Sequence, residues 1–180
     1  PDDANKGTLG SLLCVCGSYG MAGAAVMSAK GALRTGIGLA KCALPRSIYP
    51  IVAQTILESV YYPLSENADG RISKVNVPFL VSESCKSSAT LVGCGLGVCD
   101  DTLKIVFSLI ENSTTPLVLD ADALNCVAKQ PEILLRKKAP IIITPHPGEM
   151  SRLTGLATPL VNAERERVAL DFAQKYGVVT

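Results

Sequence analysis

Short apolar runs alternating with helix-like segments predict an α/β fold with a mostly parallel central sheet covered on both faces. Three observations carry that prediction. The runs are mostly four to seven residues long and mainly apolar, as strands buried on both faces require. Each is followed by small or polar residues and then by a helical stretch, the order of βα units. The clearest of those stretches, Asp101–Asn112, places Leu103, Val106, Phe107 and Ile110 at i, i+3, i+4 and i+7.

Taken in order, Ser11–Gly17 is an apolar run closing on glycine and reads as a buried strand. Gly23–Thr35, rich in Ala, Met and Leu, reads as a helix, Leu39–Leu44 as a strand and Ile48–Ser59 as a second helix. Ser65–Val77 is more polar, with Asn67-Ala-Asp-Gly70 as a turn signal, and predicts an excursion or a small hairpin. Leu91–Gly93 is a short strand, followed after a glycine cluster by the helix Asp101–Asn112. Pro116–Asp120 and Pro140–Thr144 read as strands, with helices at Ala121–Ala128, Gly148–Leu153 and Asn162–Tyr176. Val178–Thr180 reads as the start of another strand. No linker, repeat or low-complexity segment divides the chain, so residues 1–180 are expected to form a single domain.

Composition narrows the partners. Hydrophobic residues make up 48% of the 180, with no run approaching the ~20 apolar residues of a membrane span. The mean hydropathy of +0.31 suits a buried sheet. A net charge of +1 argues against nucleic acid and acidic membranes, and 4% aromatics without Trp argues against a stacking platform for single strands. The seven cysteines form no CxxC pair and the chain has one histidine, which leaves no zinc-ligand spacing. They read as buried, reduced thiols of a cytoplasmic protein. The polar opening Pro1–Lys6 predicts no secretory leader.

In an open parallel sheet, ligands bind beyond the carboxyl ends of the strands, and the unusual residues stand there. Gly17-Ser-Tyr-Gly-Met-Ala-Gly-Ala-Ala25 is either a cradle for an anion at a helix N-terminus or a tight, closely packed turn. Gly93-Cys-Gly-Leu-Gly97 is GxGxG, not the dinucleotide GxGxxG, and suits a backbone cradle for a phosphate or sugar edge better than a Rossmann site. Asp120-Ala-Asp-Ala-Leu-Asn125 offers two carboxylates and an amide, for a ribose hydroxyl, a metal-bound water or the cap of the next helix. In Thr144-Pro-His-Pro-Gly-Glu149, prolines on both sides restrict the backbone around His146, and Glu149 falls in the first turn of the following helix. A histidine framed so rigidly suits binding, with general-base chemistry as the alternative.

These motifs occur in a fixed order: Asn5-Lys-Gly-Thr-Leu-Gly10, Gly17-Ser18, Gly23-Ala-Ala25, Ala32-Leu-Arg-Thr-Gly-Ile-Gly-Leu39, Gly93–Gly97, Leu119–Asn125 and Thr144–Met150. Together they resemble the NAD(P)H-hydrate dehydratase family, a carbohydrate-kinase-like domain often fused to an epimerase. The pair Asp-Ala-Asp-Ala-Leu-Asn and Thr-Pro-His-Pro-Gly-Glu is the specific part. The resemblance implies a ribokinase-like three-layer α/β/α sandwich whose C-terminal part is missing here. It implies dehydration of hydrated NADH or NADPH, with ADP or ATP as phosphoryl donor and Mg2+. The hydroxyl is phosphorylated and the phosphate then eliminated. It further implies a homo-oligomer, a tetramer in related proteins, and fusion to or pairing with the epimerase.

Carried over by position, the resemblance implies hydrate binding at Ala25, Gly95 and His146, joined by Ala24, Asp120 and Asn125, with Glu149 beside the magnesium and phosphate path. Asn5 stands where the family usually has histidine, and Cys94 where it usually has proline. The family's Leu-Lys-Gly segment and its Gly-x-Gly-Asp motif with the catalytic aspartate are expected beyond Thr180. Two other readings fit the residues: a sugar or vitamin-precursor kinase of the same fold, and a non-catalytic nucleotide-binding module.

Overall fold

A computed structural model describes residues 8–180. The opening stretch and the Asn5-Lys-Gly part of the first motif lie outside the described residues.

Six strands form one all-parallel sheet: β1 (Ser11–Val15), β2 (Leu39–Pro45), β3 (Val60–Leu64), β4 (Ala89–Val92), β5 (Leu117–Leu119) and β6 (Ile141–Ile143). Their order is β3-β2-β1-β4-β5-β6, so the chain builds outward from β1 to one edge and then returns to build the other half. Strand alternation sends successive side chains to opposite faces. On one face Cys14, Cys16, Ala40, Cys42 and Leu44 pack under α1 (Ala22–Arg34) and α2 (Tyr49–Thr55), through Ala25, Ala29 and Val52. On the other, Leu13, Val15, Val92, Leu117 and Ile141 meet the larger cluster. That cluster draws on α3 (Val77–Cys85), α4 (Asp100–Asn112), α5 (Asp122–Val127), α6 (Pro147–Thr154), α7 (Thr158–Ala163) and α8 (Arg165–Tyr176). This is the expected three-layer α/β sandwich.

The elements depart from the sequence reading in four places. Strand β3 and helix α3 were not expected. Pro63 breaks the strand pattern of Val-Tyr-Tyr-Pro-Leu, and proline is tolerated there because β3 is an edge strand paired only with β2. Helix α3 is nine residues long with Pro78 in its first turn, too short for a clear period. The stretch Ile48–Ser59 is helical only to Thr55, after a 3₁₀ turn at Arg46–Ile48. Asn162–Tyr176 is not one helix: α7 and α8 meet at Glu164, whose φ of −127° and ψ of 39° interrupt the spiral.

The polar excursion is a turn closed by a single antiparallel bridge between Glu66 and Ile72. At the other end of the chain Val179 makes one parallel bridge to Ile142, donating to the Ile141 carbonyl at 2.9 Å and accepting from the Ile143 N–H at 2.8 Å. Among the described residues no helix is long and apolar enough to cross a membrane.

Helix α4 sends Ile105, Val106, Leu109 and Ile110 into the larger core cluster, where they are essentially inaccessible. Truncating Leu109 to alanine leaves a void there and is expected to cost about 2–5 kcal/mol. Urea unfolding of the 180-residue chain, followed by circular dichroism, measures it.

Candidate functional site

The chain reverses its direction of build between β1 and β4, and the loops leaving those two strands face each other there. They are tied together. The Gly17 N–H donates to the Cys94 carbonyl at 2.9 Å, and the buried Ser18 hydroxyl donates to the Gly95 carbonyl at 2.8 Å. Gly95 has a φ of +65°, and a Cβ on it would lie 2.6 Å from the Ala24 methyl. Glycine is needed at this position both for its backbone angle and for the close approach of α1.

The next contact is closer still. A Cβ on Gly93, whose φ is +124°, would lie 1.9 Å from the Asp120 carbonyl oxygen. The turn after β5 therefore sits directly against the β4 loop, and it is strained. Ala121 has φ 49° and ψ −114°, the one non-glycine residue with positive φ among those described. Strain of this kind clusters where the surroundings hold a side chain in place for function.

The side chain held there is Asp120. One carboxylate oxygen accepts from the Thr144 hydroxyl at 2.8 Å, and the other accepts from the Cys94 thiol at 3.3 Å. Strands β4, β5 and β6 thus each contribute one group at their carboxyl ends. Asp122 faces the glycine loop instead, accepting from the Gly97 N–H at 2.8 Å and from the Asn125 amide at 3.3 Å. The Asn125 carbonyl oxygen in turn accepts from Arg152 of α6 at 2.9 Å.

His146 caps α6. Its Nδ1 accepts from the Gly148 N–H at 3.0 Å, and its own backbone N–H donates to Glu149 Oε2 at 2.9 Å. Nε2 lies 3.2 Å from Glu149 Oε1. With Nδ1 accepting, the hydrogen of the neutral ring sits on Nε2. The imidazole is 62% exposed while the Glu149 side chain is only 7% exposed. Both ring nitrogens are engaged within the turn, so the ring is a positioned surface more than a free base.

The sequence-predicted residues therefore divide. Ala24, Gly95 and Asp120 lie along one connected arrangement, with Asn125 joined to it through Asp122. His146 adjoins it through Thr144, two residues earlier on the same loop. Ala25 stands apart: it is 2% exposed, and its methyl packs in the apolar layer beneath the loop. Glu149 spends both oxygens on His146. Among the described residues no three His, Cys, Asp or Glu side chains are grouped to hold a metal ion.

Sequence reading did not single out Thr144, Cys94, Ser18 or Arg152. Thr144 and Cys94 stood inside the quoted motifs, but their bond to Asp120 depends on which strands are neighbours. Arg152 carried no signal at all.

Two depressions border the site. One of about 320 Å³ lies beside the β6 loop, against Thr144, Pro145, Pro147, Met150, Val161 and Arg165. The other, about 360 Å³, lies beside the β1 loop against Tyr19, Ser47, Glu66, Asn67 and Asp69.

The thiols differ sharply in character. Burial pushes Cys14 well above the ordinary thiol range, and Cys126 to about 11. The hydrogen bond that Cys16 donates to Cys94 raises Cys16 and lowers Cys94.

A parallel α/β sandwich with its polar groups gathered at the strand ends is the arrangement of the ribokinase-like class. A ribokinase-like superfamily protein from Enterococcus faecalis shares the fold, with a TM-score of 0.77 over 99% of this chain at 19% identity. The family model for NAD(P)H-hydrate dehydratase matches residues 12–180, and the chain belongs to that family. Among its relatives is the bifunctional NAD(P)H-hydrate repair enzyme Nnr of Thermofilum pendens, 38% identical over 173 residues. That alignment covers 96% of this chain and 33% of the relative. The ADP-dependent (S)-NAD(P)H-hydrate dehydratase of Neisseria meningitidis is 32% identical over 167 residues, 91% of this chain and 52% of that protein. The ADP/ATP-dependent NAD(P)H-hydrate dehydratase of Bacillus subtilis, co-crystallised with ATP/Mg2+, superposes with a TM-score of 0.78 at 26% identity. It is covered over 59% of its length by 99% of this chain. The chain thus spans about a third to three-fifths of the proteins it matches.

The backbone contact between Gly93 and Asp120 makes opposite predictions for two small substitutions. Gly93→Ala cannot be absorbed against a carbonyl oxygen and should destabilise by at least about 3 kcal/mol. Ala121→Gly removes strain of about 1–3 kcal/mol at an entropic cost of about 0.5–1 kcal/mol, for a net gain of about 1 kcal/mol. Urea midpoints of both variants check the pair.

Proposed function

We propose that the protein carrying this chain restores hydrated NADH or NADPH to NADH or NADPH, consuming ADP or ATP as phosphoryl donor. Hydroxide is a poor leaving group, so the ring hydroxyl must first become a phosphate ester. Phosphate then departs as the ring nitrogen lone pair reforms the dihydropyridine. Such chemistry rests mainly on positioning and on stabilising charge at the phosphoryl group.

The single observation that carries this reading is the Asp120 carboxylate. It is held between Thr144 and Cys94 at the strand ends, beside the glycine loop, in a chain whose relatives are named hydrate dehydratases. We assign Asp120 to a hydroxyl of the hydrate, Ala24 and Gly95 to close backbone contact, and Asn125 and His146 to orienting the polar edge of the nucleotide. Ala25 supports that loop from below. Glu149 sets the imidazole and stands beside the path assigned to magnesium and phosphate. The Nnr relatives are bifunctional, and the pairing with an epimerase is assigned on that likeness. Seven unpaired thiols suit a reducing, cytoplasmic setting.

The test uses the full polypeptide that contains residues 1–180. Hydrated NADH with ADP or ATP and magnesium should regain the dihydronicotinamide absorbance while releasing inorganic phosphate. A stable phosphorylated product would assign the protein to the kinases instead, and no reaction with either nucleotide would refute the proposal. Asp120→Ala removes an acceptor for a substrate hydroxyl and should weaken hydrate binding about 10- to 100-fold by calorimetry. Unchanged affinity would remove Asp120 from the site.

A further inference from the structure

We infer that Cys94 and Cys16 are a peroxide-responsive thiol pair that closes into a disulfide across the ends of β1 and β4, at the mouth of the site.

The placement comes from the sheet. Strands β1 and β4 are paired in parallel with Val15 opposite Val92, so Cys16 is the first residue beyond the ladder on β1 and Cys94 the second beyond it on β4. The bond from Gly17 N–H to the Cys94 carbonyl clamps the two backbones there. Cys94 packs against the buried cluster that contains Cys16, and its thiol donates to Asp120 Oδ2 at 3.3 Å. Cys94 is half-buried and within reach of a small oxidant, whereas Cys16 is fully buried behind it. One thiol is placed to react and the other to resolve, an arrangement found in redox-sensing proteins. The lowered Cys94 pKa favours the thiolate that such a reaction needs.

The remaining cysteines lack this combination. Cys14 and Cys42 face each other in register within the β1–β2 ladder, but both are buried and their backbones are fixed by strand pairing. The half-buried Cys99 also has a lowered pKa: burial raises it, and hydrogen bonds from Thr102 more than offset that. The Thr102 hydroxyl, however, lies 3.6 Å from Cys99 and 4.0 Å from Cys126, between the two. Cys85 is turned to the Asn112 carbonyl at 3.7 Å.

The chemistry balances with hydrogen peroxide as the oxidant. The Cys94 sulfur attacks one peroxide oxygen, its proton passing towards Asp120. A sulfur–oxygen bond forms, the oxygen–oxygen bond breaks, and the departing hydroxide takes the proton as water. The Cys16 sulfur then attacks the Cys94 sulfenic sulfur, forming the disulfide. The sulfur–oxygen bond breaks, and the hydroxyl leaves as water with the Cys16 proton. The two thiols give up two electrons to one peroxide. Closing the bond draws the Cys94 sulfur away from Asp120, which loses one of its two donors.

The 180-residue chain is treated with a small excess of hydrogen peroxide and digested after alkylation. Loss of two of the seven thiols is expected, with Cys16 and Cys94 peptides linked and released again by dithiothreitol. Cys16→Ala should abolish the link and leave a Cys94 sulfenic acid that dimedone traps, while Cys14→Ala should leave the link intact. Because the linkage is read on the unsubstituted chain, a variant that folds poorly does not obscure it. The proposal is overturned if Cys94 stays reduced while Cys85 or Cys99 oxidises. It is equally overturned if the link joins other cysteines, or if Cys94 proceeds to sulfinic acid with Cys16 still a thiol.

Discussion

The arrangement of this site depends on one close approach. Where β4 ends, Gly93 lies so near the Asp120 carbonyl that no side chain fits between them. That contact brings the β5 turn against the β4 loop, drives Ala121 into an unfavourable backbone region and aims the Asp120 carboxylate toward Thr144 and Cys94. Two backbone bonds hold it, Asp120 N–H to the Val92 carbonyl at 3.1 Å and Asp122 N–H to the Gly93 carbonyl at 3.3 Å. The strain at Ala121 is modest beside the burial that secures it. Leu119, Ala123 and Leu124, around the turn, are all inaccessible. A fully buried leucine contributes about 1.5–3 kcal/mol, so two of them alone exceed the cost of the backbone angle.

Most of the architecture was legible in the sequence because parallel strands buried on both faces must be continuously apolar, and their ends must be small or polar. Ser-Leu-Leu-Cys-Val and Ile-Ile-Ile satisfy the first condition, and Gly93–Gly97, Asp120–Asn125 and Thr144–Glu149 the second. Strand β3 escaped the pattern because Pro63 interrupts it and needs no ladder partner on the open side, whereas β6, at the other edge with Ile142 exposed, is apolar throughout. Glu164 hid the break between α7 and α8, since nothing in its type marks a helix boundary. Neighbouring strands that are not consecutive lie beyond the reach of local pattern. Thr144 with Asp120, and Cys16 with Cys94, are partners only because β5 lies beside β6 and β1 beside β4.

The resemblance to hydrate dehydratases supplied residues by position, and the structure sorts them by what each side chain touches. Ala25 shows how a position within a ligand loop can serve the layer below it. Its methyl would lie 3.1 Å from a Cβ on Gly17, so the loop's shape depends on both residues staying small. Asn125 is anchored to α6 by Arg152 and to the glycine loop through Asp122. The helix capped by His146 and the loop carrying Gly95 are therefore tied to each other by polar contacts through Arg152, Asn125 and Asp122.

That arrangement decides how charge can be handled here. His146 accepts from the Gly148 N–H, and the buried Glu149 carboxylate accepts from the His146 backbone N–H and lies 3.2 Å from Nε2, so moving either group opens the capping turn. Opening it would forfeit one hydrogen bond to the carboxylate and one from the Gly148 N–H, about 2–4 kcal/mol in sum. Asp120 differs, because its partners are a hydroxyl and a thiol, neutral donors that a ligand hydroxyl can displace at small net cost. Of the carboxylates at the strand ends, Asp120 is the one whose environment leaves it exchangeable. The thiol beside it is also the one whose oxidation would change its hydrogen bonding, so ligand recognition and redox state meet at a single carboxylate.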